Sequence, residues 1–97
     1  MDRTGIRELV IEEIQNLAYK NGVNQVILFG SRARGSYKRT SDIDLAVPGG
    51  NTARSASDVE EKTSTMLKYD VVDLGGSVQE KLWEAILREG KVIYEKI

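Results

Sequence analysis

The chain has 97 residues, 40% apolar and 30% charged, with a formal charge of −1 and neither cysteine nor histidine. That length supports one small domain, 1–97, without a second core, and the composition is too apolar for a disordered chain. The missing residue types exclude disulfides, thiolate metal sites, histidine-based triads and most zinc or non-haem iron centres, leaving acid–base and metal work to carboxylates, lysines, tyrosines or water.

Ile6, Leu9, Val10, Ile11 or Ile14, Leu17 and Ala18 recur at helical spacing, with Arg7, Glu8, Glu12 and Glu13 on the other face. This predicts an amphipathic helix from Thr4 to Lys20, capped by Thr4 or Asp2 and ended by Asn21-Gly22. Val26-Ile27-Leu28-Phe29 is a short apolar run that fits a strand buried on both faces, and Gly30 stops it. Residues 31–36 read as a short helix or turn and 37–41 as loop. From Asp42 to Val47, charged and apolar residues alternate, as in a second strand.

Pro48-Gly49-Gly50-Asn51 is a break. Residues 52–67 carry a weaker helical pattern, with Ala56, Val59, Thr63, Met66 and Leu67 as the expected buried stripe. Tyr69 to Leu74 is a third strand, closed by Gly75-Gly76. Ser77 and Glu80 form a capping-box pattern for a last helix that turns Val78, Leu82, Trp83, Ile86 and Leu87 inward and ends at Gly90. Val92-Ile93-Tyr94 is a final strand. The order α-β-(α)-β-α-β-α-β gives an α/β (α+β) fold, with a mixed sheet of about four strands flanked by helices.

The near-neutral charge argues against bulk nucleic-acid binding, because there is no basic excess to displace counterions. No apolar run approaches the ~20 residues of a membrane span, and Met1-Asp2-Arg3-Thr4 does not open a signal peptide. A cytoplasmic protein is expected. The positive charge is local: Arg32, Arg34, Lys38 and Arg39 lie between Gly30-Ser31 and Asp42-Ile43-Asp44.

That segment carries the chemistry. Residues i and i+2 of a strand share a face, so Asp42 and Asp44 can converge on one spot. Such hard oxygen ligands suit Mg²⁺, and two ions can stabilise the attacking and leaving oxygens of an in-line displacement. Gly30 lets the backbone approach an oxyanion, and Ser31 adds a hydroxyl donor. This is not a Walker A loop, which ends in Gly-Lys-Ser/Thr. Arg32 and its neighbouring cations could pair with triphosphate oxygens. Ser41 could bond near the metal or cap the turn into the strand. Asp70 and Asp73, three apart on a strand, face opposite sides, so only one can join Asp42 and Asp44. Asp70 is favoured from its place at the strand's start, with Asp73 as its competitor. With no histidine, the base for an acceptor hydroxyl must be Asp or Glu.

Gly30-Ser31, ten further residues and then Asp42-Ile43-Asp44 resemble the signature of the DNA polymerase β-like nucleotidyltransferase superfamily. The short Gly-Ser-Arg-Ala-Arg-Gly version, Tyr69-Asp70-Val-Val-Asp-Leu74 and the ending Ile86 to Tyr94 resemble its minimal members, the MNT domains. The resemblance implies Asp42, Asp44 and Asp70 as metal-binding and catalytic carboxylates, with Gly30 and Ser31 at the triphosphate. It implies Mg²⁺ as cofactor, ATP or another nucleotide as donor, and a nucleotidyl group moved to a hydroxyl with release of pyrophosphate. Chains of this kind often accompany a HEPN-type toxin as antitoxin, adenylylating one of its tyrosines; self-association is the other expected interaction. Two rival readings are a non-catalytic module that masks a partner protein and a small-molecule nucleotidyltransferase like those acting on aminoglycosides.

Overall fold

The computed structural model describes residues 4–76 and 78–96. Its elements follow the expected order: α1 (Glu8–Lys20), β1 (Gln25–Phe29), α2 (Gly30–Arg34), β2 (Ile43–Val47), α3 (Thr52–Lys62), β3 (Tyr69–Asp73), α4 (Glu80–Glu89) and β4 (Lys91–Glu95). The four strands form one mixed sheet in the order β3-β2-β1-β4. β1 is antiparallel to both β2 and β4, whereas β2 and β3 run parallel, joined through α3. Among the described residues no helix is long and apolar enough to cross a membrane.

Strand alternation sorts the core into two layers. Val26, Leu28, Ile43, Leu45, Val47 and Tyr69 pack with Val10, Ile11, Ile14 and Leu17 of α1 and Val59 of α3. On the other face, Ile27, Phe29, Ala46 and Val72 meet Ile86 and Leu82 of α4. β1 is apolar on both faces because helices cover both, as its uninterrupted run Val26–Phe29 requires.

Several local expectations are corrected. α1 begins at Glu8, not Thr4, with Arg7 at its N-cap and no side-chain cap. Thr4 is fully buried ahead of the helix, and its hydroxyl accepts the Ile6 N–H at 3.2 Å. Asp2, the other proposed cap, and Ser77, the proposed capping-box residue, lie outside the described residues. α3 stops at Lys62 and buries Ser55, Asp58 and Val59. Met66 is 100% exposed, because the chain has left the helix by then and the apolar spacing continues through a loop.

α4 is the larger surprise. Only Ile86 is buried, whereas Trp83 is 40% and Leu87 67% exposed. A helix on a four-stranded sheet presents a narrow stripe, here Leu82 and Ile86, and Trp83 and Leu87 fall one residue to its side. Ile86→Ala should therefore cost about 2–5 kcal/mol. Leu87→Ala should stay within about 0.5 kcal/mol. Urea unfolding of the two variants checks the ordering.

Candidate active site

The site lies where β1 ends and β2 begins. Phe29 is paired with Asp44 in the antiparallel register, so the turn after Phe29 comes directly against Asp44. Gly30 adopts φ +75°, a conformation that L side chains rarely take. A Cβ at Gly30 would overlap the Asp44 Oδ2. Glycine is thus demanded twice, by backbone angle and by the carboxylate seated on it. Ser31 follows in the first turn of α2, half-buried. No protein group among the described residues bonds its hydroxyl.

The parallel register of β2 and β3 settles which acid of the third strand lies beside Asp44. Asp70 is the residue opposite Asp44, and alternation puts both on the sheet face that carries Ala46 and Val72. Asp73 lies opposite Val47 at the far end of the strand, where its carboxylate accepts the Gly75 N–H at 2.8 Å. Asp42 is exposed, one residue ahead of β2. Partial burial raises the Asp44 pKa above the usual 3.8, and the charges of Asp70 and Asp42 raise it further. Arg34 and Arg32 pull it partly back. These effects mark a concentration of negative charge around Asp44 that a cation would relieve.

Among the described residues, no three acidic side chains are gathered tightly enough to enclose a metal ion by themselves. The donor set nonetheless suits Mg²⁺, which commonly takes one or two carboxylates and completes its shell with phosphate oxygens and water.

Two of the expected nucleotide contacts, Arg32 and Ser41, have partners within the chain. Arg32 is turned inward and 1% exposed. Its Nε donates to the Ser41 carbonyl at 3.0 Å and its Nη1 to the Thr4 carbonyl at 2.9 Å. Its Nη2 reaches the carbonyls of Arg39 at 3.3 Å and Lys38 at 3.5 Å. The guanidinium also lies 5.0 Å from the centre of the Tyr37 ring. The guanidinium's donors are thus engaged by carbonyls of its own chain. The Ser41 hydroxyl accepts the Lys38 N–H at 2.8 Å, which is turn capping. Arg34 is exposed and paired with Glu89 of α4 at 2.9 Å. The involvement of Thr4 and Gly5 with Arg32 has no signature in the sequence beyond a glycine ahead of a helix.

The polymerase β nucleotidyltransferase family model matches residues 12–97. A protein of Methanocaldococcus jannaschii, provisionally named a protein adenylyltransferase, is 33% identical over 99 residues, covering 90% of this chain and 97% of the relative. The crystal structure of a toxin–antitoxin with AMP-PNP is 26% identical, with a TM-score of 0.72, over 89% of this chain and 73% of the other. A mutant of the toxin–antitoxin MntA–HpeT is 25% identical, with a TM-score of 0.69, over the same shares. A family match over residues 12–97, on a sheet that seats the Asp44 carboxylate against Gly30, places the chain in the polymerase β family as a nucleotidyltransferase.

Proposed function

We propose that this chain transfers AMP from ATP to a hydroxyl on a partner protein, as a cytoplasmic antitoxin that modifies a tyrosine of a HEPN-type toxin. The observation that carries the reading is the seating of the Asp44 carboxylate against Gly30, with Asp70 beside it on the neighbouring strand. Phosphates held at the bend would lie next to the acids. The protein adenylyltransferase name of the Methanocaldococcus relative and the AMP-PNP of the toxin–antitoxin neighbour support the choice of nucleotide and the class of acceptor.

In this reading Asp42, Asp44 and Asp70 hold Mg²⁺, with two ions expected, which when bound neutralises the charge of the phosphates. Gly30 and Ser31 receive the phosphates, Ser31 through its hydroxyl. The acceptor oxygen attacks the α-phosphorus, the bond from that phosphorus to the bridging oxygen breaks, and pyrophosphate leaves. Asp70 takes the acceptor's proton. The chain contributes position and charge more than covalent chemistry.

The test is incubation with α-labelled ATP, Mg²⁺ and the product of the adjacent gene. Label on that protein, resistant to denaturation and lost with Asp44→Ala, is the expected result. Absence of label, or labelling undiminished in the variant, refutes the proposal.

A further inference from the structure

We infer that Arg32 is a positioning residue, which fastens the loop leading into Asp42 to the segment Thr4–Ile6 and does not contact the nucleotide. The inference rests on the transfer reading above and assigns a role to a residue the cationic loop pattern would have placed on the triphosphate. Residues 35–41 form no regular element, yet they deliver Asp42 to the site. Beyond two backbone turn bonds, from the Ser36 N–H to the Ser31 carbonyl and from the Ser41 N–H to the Lys38 carbonyl, their order comes from side chains. Arg32 bonds the carbonyls of Lys38, Arg39 and Ser41, the last of these directly preceding Asp42. The same guanidinium reaches across to the Thr4 carbonyl. Tyr37 covers it from the loop side.

The other half of the fastening is as closely fitted. Gly5 has φ +70°, and a Cβ there would lie 2.7 Å from Arg32 Nη1 and would overlap the Tyr37 ring. The segment ahead of α1 therefore rests on the guanidinium with no space for a side chain. Only arginine suits the centre of this arrangement. Its planar fork offers five donors in fixed directions, whereas a lysine ammonium is compact and cannot span carbonyls on both sides.

Two variants from opposite sides of the contact test the inference: Arg32→Lys, which keeps the charge, and Gly5→Ala, which leaves the loop's own sequence intact. Hydrogen exchange of amides 36–42 should quicken by about tenfold or more in both, as expected when a local opening becomes easier. kcat should fall about 10–100-fold, the scale of a small misplacement of a catalytic group, with KM for ATP nearly unchanged. The double variant should be little worse than either single one, because both break the same contact.

Unchanged loop exchange in both variants overturns the inference. So does a loss confined to KM in Arg32→Lys, which is the signature of a direct triphosphate contact. Wild-type exchange and kcat in Gly5→Ala would also overturn it, by removing the segment Thr4–Ile6 from the fastening. Should the wild-type chain transfer nothing, the functional reading fails, and exchange in the two variants still decides whether Arg32 orders the loop.

Discussion

Asp44→Asn is expected to cripple transfer while making the protein slightly harder to unfold. The loss of activity should be about 10²–10³-fold or more, the usual scale when a group that stabilises transition-state charge is removed. The change in stability runs the other way for a definite reason. The Asp44 carboxyl is partly buried and faces Asp70 and Asp42, so its pKa lies above the ordinary 3.8. A carboxyl whose folded pKa exceeds its unfolded value holds its proton more tightly in the folded chain. Its ionisation therefore weighs against folding, from the unfolded pKa upward to its full extent above the folded one. Asparagine has no charge to lose. Without divalent metal, Asp44→Asn should melt a little higher than wild type at neutral pH. That advantage should vanish at pH values below 3.8, where Asp44 is protonated in both states. Melting curves across acid and neutral pH, run beside the transfer assay, check both parts. A variant less stable at neutral pH would contradict the reading of the site as a held concentration of like charge.

Gly30→Ala carries the second large expectation, and Gly35→Ala is its control. Both glycines have positive φ, +75° and +84°. An L residue in that region costs about 1–2 kcal/mol from the backbone alone. The surroundings differ: a Cβ at Gly30 meets the Asp44 carboxylate, whereas one at Gly35 meets nothing within 4 Å. Both variants should therefore lose comparable stability from strain, Gly30→Ala somewhat more. Only Gly30→Ala should lose activity heavily, by about 10²-fold, because it displaces a carboxylate that must be placed to within a fraction of an ångström. Equal activity losses in the two would mean that backbone strain, not the seat of Asp44, is what the site requires of Gly30.

The exposed flank of α4 shows how far periodicity reaches. Trp83 and Leu87 have the same spacing as genuine core residues, and nothing in their pattern distinguishes them from Leu82 and Ile86. The distinction arises from how a helix lies on the sheet, which a one-dimensional pattern does not contain. Met66 shows the same limit at a helix end, where an apolar period continued past the point at which the chain had turned away.

What the sequence by itself determined was the order of elements and the bend at Gly30-Ser31. These are consequences of spacing two or four residues apart and of a glycine ending a buried strand, and such local rules act within a single segment. The tertiary structure alone decided between Asp70 and Asp73 as Asp44's neighbour, because strand register is a relation between distant segments. It also decided where Arg32 lies and what it bonds. An arginine's charge says that it seeks oxygen atoms, but only the folded chain places the carbonyls of Thr4, Lys38, Arg39 and Ser41 around it. Once they are there, its donors meet those carbonyls.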